Sequence, residues 1–291
     1  MGAPLLPEGV RGRIYFQDNL EVLRLLPAES VDLIYIDPPF NTGKVQQRTQ
    51  IRVERSAEGD RRGFQGQRYR TLRIGQRYFV DFFDDYLTFL EPRLVEAYRV
   101  LAPHGSLYVH LDYREVHYCK VLLDAIFGRA CFLNEIIWAY DYGGRPRDRW
   151  PPKHDNILWY AKTPGQHIFN REAIERIPYM APGLVGPEKA KRGKLPTDTW
   201  WHTIVPTHSR EKTGYPTQKP LGILRRIVQA SSRPGDVVVD FFAGSGTTGI
   251  AALELGRRFL LIDNNPQALE VMARRFAGVE GIQWVGWEGP F

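Results

Sequence analysis

The segment Val31-Asp32-Leu33-Ile34-Tyr35-Ile36 is followed directly by Asp37-Pro38-Pro39-Phe40. Five apolar residues interrupted by one aspartate predict a buried strand. The two prolines end it, because proline can neither extend a β-ladder nor donate a backbone hydrogen bond. In an open α/β sheet ligands bind where the parallel strands end, so the carboxylate and the ring mark a candidate binding edge. On their own, the same four residues are better explained as a proline-rich turn.

The residues around this strand predict an α/β pattern. Residues 13–16 predict a strand, and a helix with leucines at helical spacing follows, capped by Asp18 or Asn19. A strand, a helix and a second strand form the unit of a parallel sheet. The next elements expected are helices at 85–101 (broken near Pro92) and 114–127, and strands at 106–110, 135–140 and 156–160. A loop at 141–153 joins the last two strands, so they are expected to pair antiparallel.

Residues 41–80 interrupt this pattern. They are rich in Arg, Gln and Gly and show little periodicity, so we expect a long, mobile surface loop. Between residues 44 and 77 there are ten Lys/Arg and three acids, a local net charge of +7. The loop is either a solvated insertion or an arm that grips phosphates.

The second half of the chain first loses and then regains periodicity. Residues 163–214 mix Pro, Gly and basic residues with aromatics and predict a small irregular lobe. After Pro220 we expect a helix, a strand at 236–240, a helix at 247–255, a strand at 259–262 and a helix at 266–276. The chain is therefore expected to be α/β at both ends.

A second motif lies between the strand at 236–240 and the helix after it. It reads Asp240-Phe241-Phe242-Ala243-Gly244-Ser245-Gly246-Thr247-Thr248-Gly249, and Asp263 ends the next strand. Glycines at such a turn let a ligand approach the backbone, and an acid one strand later can hold a ribose diol. The glycine spacing also fits a dinucleotide fingerprint, so a nicotinamide enzyme is a rival. The absence of a lysine after the glycines excludes a phosphate-cradling P-loop.

Three features weigh against the nicotinamide enzyme. A dinucleotide site usually opens the chain, whereas this motif comes near its end. A hydride-transfer enzyme has no evident use for the carboxylate in D-P-P-F. The concentration of positive charge in one segment indicates a polyanionic partner and not a small hydroxy acid.

Taken together, D-P-P-F and D-x-F-x-G-x-G resemble motifs of the amino-group DNA methyltransferases, which use S-adenosylmethionine. The catalytic motif comes first and the cofactor motif last, which is similar to the β class of that family. Phe241 departs from the family pattern, which commonly has proline there. Further blocks that resemble the family lie at 107–112, 134–138, 153–158 and 215–220. The resemblance covers nearly the whole chain.

The resemblance implies a single Rossmann-like methyltransferase sheet that is circularly permuted. The sheet is expected to be mostly parallel with one antiparallel strand, and helices are expected on both faces. Residues 1–162 would form the catalytic half, 163–214 a target-recognition region and 215–291 the cofactor-binding half.

The resemblance also assigns the catalytic motif to Asp37, Pro38, Pro39 and Phe40. An exocyclic amine is a poor nucleophile because its lone pair is delocalised into the ring. The carboxylate of Asp37 and the carbonyl of Pro38 would each accept one N–H and free that lone pair. Attack on the sulfonium methyl is then in line, so positioning supplies much of the rate. Phe40 would stack on a base flipped out of the duplex.

The motif favours adenine N6 as the target. Cytosine N4 is the alternative, and a methyltransferase for RNA or protein is a more distant one. A non-enzymatic nucleic-acid binder that keeps the fold is disfavoured by the intact Asp37.

For the cofactor, the resemblance implies that Asp18 touches the adenine amino group and that Thr217 and Lys219 bind the carboxylate. Asp263 and Asn264 would hold the ribose. The glycine-rich turn would contribute Asp240, Phe241, Phe242, Ala243, Gly244, Ser245, Gly246, Thr247 and Thr248. From the residues alone, Asp18 is as well explained by a helix cap and Lys219 by a surface position. The seven histidines form no ligand cluster, so no metal is expected.

Double-stranded DNA is the expected partner. The candidate contacts are Arg48, Arg52, Arg61, Arg62, Arg145, Arg147, Lys191 and Arg192. Trp200 and Trp201 either contact DNA or belong to the core. Analogy with the family adds a homodimer and a cognate restriction endonuclease as expected partners.

Composition sets the remaining bounds. With 291 residues and 43% hydrophobic content the chain can bury a sizeable core, and a net charge of +6 permits an acidic partner. Its two cysteines form no metal or redox spacing, which predicts a reduced cytosolic protein. The expected DNA partner adds an association with the nucleoid. The amino-terminal residues lack a leader pattern and no 18-residue apolar run occurs, so neither secretion nor a membrane span is expected.

Overall fold

A computed structural model describes the backbone of residues 5–40, 44–55, 61–62, 68–81 and 85–287, and side chains in 5–40 and 85–287. The chain divides into two compact units. The larger consists of Met1–Pro38 with Leu87–Phe291, and the smaller is Pro39–Tyr86.

The elements follow the chain in an alternating order of strands and helices. The first half contains β1 (Gly12–Phe16), α1 (Asn19–Leu25), β2 (Val31–Ile36), β3 (Lys44–Arg55), β4 (Arg61–Arg62), β5 (Arg68–Asp81), α2 (Tyr86–Val100), β6 (Leu101–Leu111), α3 (Val116–Phe127), β7 (Phe132–Ala139) and β8 (His154–Ala161). The second half contains α4 (Pro187–Arg192), β9 (Thr199–Trp201), α5 (Leu221–Ser231), β10 (Val237–Asp240), α6 (Thr247–Glu254), β11 (Arg258–Asp263), α7 (Pro266–Arg275) and β12 (Ile282–Val285).

The larger unit is built on a nine-stranded sheet with the order β12-β1-β11-β10-β2-β6-β8-β7-β9. The two ends of the chain interleave in it, because β1 lies between β12 and β11, and β2 lies beside β10. These pairings are all parallel. Only β8 runs antiparallel to both of its neighbours, β6 and β7, among the strands of this sheet. The expectation of a permuted, mostly parallel sheet with one antiparallel strand is confirmed.

The aspartate within the β2 run has local partners. Asp32 accepts a hydrogen bond from the backbone N–H of Val237 at 2.7 Å, and its other oxygen lies 2.7 Å from His104 Nε2. The first bond ties the beginning of β2 to the beginning of β10. Asp32 therefore joins the two halves of the chain at the amino-terminal end of these strands.

Three expectations about individual elements in the larger unit were wrong. Helix α2 continues through Pro92 without a break, because Leu90, Leu94 and Ala97 anchor the same helix in the core. Strand β6 begins at Leu101 and not near residue 106, and its pairing with β2 contains a register shift between Val31 and Leu33. Strand β12 was not expected, since its four residues alternate weakly.

The smaller unit also differs from the expectation of a loop at 41–80. Strands β3 and β5 form a long antiparallel pair with a register shift between Gln50 and Ile51, and β4 pairs with β5. The signal was present in the sequence: Val45, Thr49, Ile51 and Val53 fall on alternate positions, a strand period that the high charge obscured.

Residues 163–214 are irregular, as expected, but they belong to the larger unit. Strand β9 extends the edge of the main sheet by pairing with β7. Trp200 is buried there at 8% exposure, whereas its neighbour Trp201 is 78% exposed. Trp200 is thus a core residue, and Trp201 is a surface residue.

Within the described part of the chain, no helix has the length and apolar character needed to cross a membrane. In the same residues, no group of three or more His, Cys, Asp or Glu side chains is arranged to hold a metal ion.

Candidate active site

Three acids lie at one edge of the main sheet. Asp37 follows β2, Asp240 ends β10 and Asp263 ends β11. These strands are parallel neighbours, so their carboxyl ends meet at the same edge. The structure thus brings together the two motifs that the sequence separates by about two hundred residues, at the edge where open α/β sheets bind ligands.

The glycine-rich turn between β10 and α6 has a backbone that only glycine fits. Gly244 and Gly246 adopt φ angles of +49° and +73°, which residues with a side chain rarely adopt. A Cβ on Gly244 would lie 3.0 Å from the ring of Tyr215, and one on Gly246 would lie 2.8 Å from Met272 Cγ. Neighbouring side chains therefore occupy the space that a side chain at either position would need, and the turn keeps this shape only with glycine there.

Asp240 fastens the turn from within. Its Oδ1 accepts from the N–H of Phe242 at 3.0 Å and its Oδ2 accepts from Thr248 Oγ1 at 2.6 Å. Burial and, to a smaller extent, the charges of Asp37 and Asp263 raise the pKa of Asp240 to about 7, against the lowering effect of these bonds. Both oxygens serve the turn itself, so Asp240 shapes the loop.

Asp263 bonds to the same turn from the next strand. Its Oδ2 accepts from the N–H of Gly244 and its Oδ1 from the N–H of Asn265, both at 2.8 Å. Burial raises the pKa of Asp263 to about 6 despite these bonds. The adjacent Asn264 is exposed at the same edge.

Arg275 on α7 holds the turn from outside, a role that the sequence did not reveal. Its Nη1 donates to the carbonyl of Ser245 at 3.0 Å and to Thr247 Oγ1 at 2.8 Å. Ser245 and Thr247 are buried and bond to each other through their hydroxyl groups at 2.9 Å. An arginine in an amphipathic helix gives no signal of its own, because such residues usually face solvent.

Asp18 acts as a helix cap and as half of an ion pair. Its Oδ1 accepts from the N–H groups of Leu20 and Glu21, and its Oδ2 lies 3.1 Å from Arg93 Nη2. Arg93 on α2 was another residue that the sequence did not reveal. Both carboxylate oxygens of Asp18 have partners within the protein, which favours the capping explanation.

Asn19 links this corner to the glycine-rich turn. Its side-chain amide donates to the carbonyl of Phe241 at 2.6 Å and its oxygen accepts from Arg93 Nε at 2.6 Å. Phe241 is fully buried, and Phe242 lies with its ring centroid 6.0 Å from that of Phe89. The phenylalanine at the family's usual proline position is thus a core residue.

Asp37 and Lys219 form an ion pair at the centre of the site. Lys219 Nζ donates to Asp37 Oδ2, and the two side chains are 11% and 14% exposed for Lys219 and Asp37 respectively. The other oxygen, Asp37 Oδ1, is buried and has no hydrogen-bond partner among the described residues. Such an atom is costly unless a ligand supplies a donor.

The block 215–220 crosses between the catalytic and cofactor motifs. Tyr215 packs its ring against Gly244, and burial together with the charges of Asp263 and Asp37 raises the pKa of its hydroxyl. Thr217 in the same block is exposed. Tyr215 lies in the block 215–220 that resembles the family but was not predicted as a site residue. Its contact with Gly244 places it beside the glycine-rich turn.

A family model for DNA methylase (N6/N4 methyltransferase) matches residues 31–274, which include both motifs. The chain belongs to the DNA methylase family. It is 30% identical over 274 residues to the type II methyltransferase M.HpaI of Haemophilus parainfluenzae, covering 93% of this chain and 77% of that protein. It is 31% identical over 266 residues to the DNA adenine methyltransferase YhdJ of Escherichia coli K12, covering 89% and 80%.

Solved structures agree with this fold. The M1.HpyAVI–SAM complex matches with a TM-score of 0.57 at 21% identity, covering 91% of the methylase described here and 99% of that chain. At this identity the likeness concerns the fold alone.

The four candidate DNA contacts whose side chains the structure describes are all exposed. Arg145 and Arg147 lie in the segment between β7 and β8, and Lys191 and Arg192 lie on α4. Because β8 begins opposite the end of β6, the segment with Arg145 starts and ends at the edge that carries Asp37. The side chains of Arg48, Arg52, Arg61 and Arg62 lie outside the described residues.

The cysteines of the methylase take no part in the site. Both are free, and Cys119 is buried in α3. Burial raises the pKa of the Cys119 thiol to about 12 and raises that of Cys131 as well. Neither thiol is an activated nucleophile, in agreement with chemistry at an amino group and not at a ring carbon.

Proposed function

We propose that this methylase transfers the methyl group of S-adenosylmethionine to the exocyclic amine of a flipped base in double-stranded DNA. The favoured target is adenine N6, and the alternative is cytosine N4. The observation that carries the proposal is the buried Asp37 Oδ1, an unsatisfied acceptor beside the glycine-rich turn. An amino group of a base supplies the missing donor.

The residues of the cofactor half fit the donor. The glycine turn packs against Tyr215 and Met272 so closely that a Cβ on Gly244 or Gly246 would collide with them, and a glycine turn after a parallel strand is typical of the site where such sheets bind a nucleotide. Asp263 would accept from the ribose, and Asn264 lies beside it. Asp18 is assigned to the adenine end, and Thr217 and Lys219 to the carboxylate. When bound, S-adenosylmethionine supplies an electrophilic methyl group on a sulfonium sulfur.

The catalytic half prepares the amine. Asp37 Oδ1 accepts one N–H of the base, and the carbonyl of Pro38 accepts the other. These two bonds draw the lone pair out of conjugation with the ring and aim it along the line of attack. The alkylated nitrogen carries one proton more than the product, and Asp37 Oδ1 is the acceptor placed to take it. Phe40, three residues along the chain, would stack on the base, and Pro39 keeps the turn rigid.

The DNA contacts are proposed from charge and position. Arg145 and Arg147 would contact phosphates from the edge that carries Asp37. Arg48, Arg52, Arg61 and Arg62 would grip the backbone from the smaller unit, and Lys191 and Arg192 from α4. Residues 163–214 would choose the target sequence, with the exposed Trp201 as their most prominent apolar side chain.

The relatives' names bear on the target base and on partners. YhdJ is named as an adenine methyltransferase, which supports adenine. M.HpaI is named as a type II methyltransferase, which supports a role beside a cognate restriction endonuclease. A homodimer and a cytoplasmic, nucleoid-associated location complete the proposal.

The experiment is to incubate the protein with S-adenosylmethionine labelled in the methyl group and with DNA, RNA and bulk protein in separate reactions. After digestion, the labelled nucleoside is identified by mass. We expect label in DNA as N6-methyladenine. N4-methylcytosine would select the alternative base, and label confined to RNA or protein would refute the proposal.

A further inference from the structure

Lys219, in the block 215–220, contacts the D-P-P-F motif of the methylase directly. It lies two residues before α5, and its ammonium group donates to Asp37 at the end of β2. Both side chains are largely withdrawn from solvent. A pair in such a place is screened less by water than a surface pair is, and removing one partner leaves an uncompensated charge.

A buried chain of polar side chains lies beside this pair. Tyr35 on β2 shares a 2.8 Å hydrogen bond with His110 Nδ1, and His110 Nε2 lies 3.2 Å from Asp155 Oδ2 on β8. Tyr140 donates to Asp155 Oδ1 at 3.0 Å. Tyr35, His110 and Asp155 are all less than 10% exposed. This row of hydrogen-bonded side chains crosses three adjacent strands, and it bonds both oxygens of the Asp155 carboxylate.

That carboxylate is charged and is coupled to Lys219. Burial alone would raise the pKa of Asp155, but the bond and charge of His110, the charge of Lys219 and the bond from Tyr140 outweigh it and lower that pKa. Lys219 therefore experiences two carboxylates, Asp37 by direct contact and Asp155 through space. Asp155 cannot turn towards the base, because His110 and Tyr140 hold it.

We infer that Lys219 is a positioning residue for Asp37, through the direct ion pair that it makes with Oδ2. The inference rests on the proposed function, which makes Asp37 the acceptor of the base amine. By holding Oδ2, Lys219 leaves Oδ1 as the oxygen that faces the substrate. An ammonium group has three donors, so this role is compatible with a second bond to the carboxylate of the methyl donor.

Lys219 also counters the negative groups around Asp37. Asp240, Tyr215 and Tyr35 interact electrostatically with Asp37, and Lys219 donates to it directly. Lys219 is the cation among these four residues, so its removal takes away the countercharge in direct contact with the Asp37 carboxylate.

The test compares Lys219→Met and Lys219→Arg with the wild type in single-turnover methyl transfer at saturating S-adenosylmethionine and DNA. We expect Lys219→Met to lose ~100-fold in rate and Lys219→Arg to restore part of that rate. Affinity for S-adenosylhomocysteine is measured alongside, so that a loss of rate at saturation is separated from a loss of binding.

A different outcome would overturn the inference. If Lys219→Met keeps the wild-type rate at saturation and loses only affinity for S-adenosylmethionine, Lys219 serves the cofactor and not Asp37.

A measurement without catalysis separates this inference from the proposed function. In a double-mutant cycle on unfolding, Asp37→Asn and Lys219→Met should be non-additive by a factor of about five or more in the unfolding constant. Additive effects would contradict the pair. A wild-type protein that methylates no DNA would refute the proposed function, and the cycle would still decide whether Lys219 and Asp37 act together.

Discussion

Asp263 accepts a hydrogen bond from the backbone N–H of Gly244 at 2.8 Å. The acid proposed to hold the ribose thus also sets the conformation of the turn that faces the rest of the cofactor. Asp240 completes the arrangement from the neighbouring strand by bonding to Phe242 and Thr248. If Asp263 holds the ribose as proposed, cofactor affinity and the shape of the turn should be coupled through Asp240 and Asp263.

The first prediction concerns the pH dependence of cofactor binding. Because the pKa of Asp263 is raised to about 6, its carboxylate is ionised above that pH and protonated below it. In the proposed role the ionised form would accept from the ribose hydroxyl groups, so affinity for S-adenosylhomocysteine should fall by up to about tenfold per pH unit below pH 6. Calorimetric titrations from pH 5 to pH 8 measure it. Asp263→Asn should bind weakly with no such step, and a wild-type affinity independent of pH would contradict the assignment.

The second prediction concerns the glycine turn. Gly246→Ala places a Cβ in a left-handed conformation and 2.8 Å from Met272. We expect a loss of about 1–3 kcal/mol in the free energy of unfolding and a clear loss of affinity for S-adenosylhomocysteine. Gly183→Ala is the matched control, because its Cβ would meet nothing within 4 Å and its φ is ordinary. Equal behaviour of the two variants would show that the turn is not constrained.

The third prediction concerns Asp240 and stability. Its pKa in the folded protein is raised to about 7, above that of an unfolded aspartate. The folded state therefore holds the proton more tightly, and the stability this gives is present at low pH and lost as pH rises through 7. Between pH 6 and 7, above the pKa of Asp263, the free energy of unfolding of the wild type in urea should fall by up to about 1.4 kcal/mol per pH unit. Asp240→Asn should remove most of this slope, and an unchanged slope would refute the explanation.

The fourth prediction concerns DNA. Replacing Arg145 and Arg147 together by alanine removes two exposed cations from the segment between β7 and β8. If both contact phosphates, the slope of log affinity against log salt should decrease by about two, with affinity lowered on specific and non-specific DNA alike. Arg233→Ala is the control, since Arg233 is exposed but precedes β10 at the opposite edge of the sheet. A double variant with the wild-type salt slope would exclude these contacts.

The main sheet and the two motifs could be predicted from the sequence because their signals are local. Apolar runs such as those of β2 and β10 predict buried parallel strands. The backbone angles of Gly244 and Gly246 explain the glycines of the turn. The meeting of the chain ends follows from the order of the motifs. Each of these inferences needs only a few neighbouring residues.

The contacts that organise the site could not be predicted, because they join residues distant in sequence. Arg275 bonds to Ser245 and Arg93 to Asp18, yet neither arginine differs in sequence from a surface residue. The pairing of Lys219 with Asp37 likewise depends on the packing of α5 against the sheet. In the smaller unit, charge concealed a strand period, so a β-sheet was mistaken for a loop.

The most direct test of the central claim compares Asp37→Asn with the wild type in two matched reactions, each containing S-adenosylmethionine and DNA. The amount of N6-methyladenine formed is measured by mass after digestion, and affinity for S-adenosylhomocysteine is measured alongside. We predict N6-methyladenine from the wild type and none from Asp37→Asn, with affinities within about twofold of each other. Undiminished methylation by Asp37→Asn would contradict the role of Asp37 as the acceptor that activates the base.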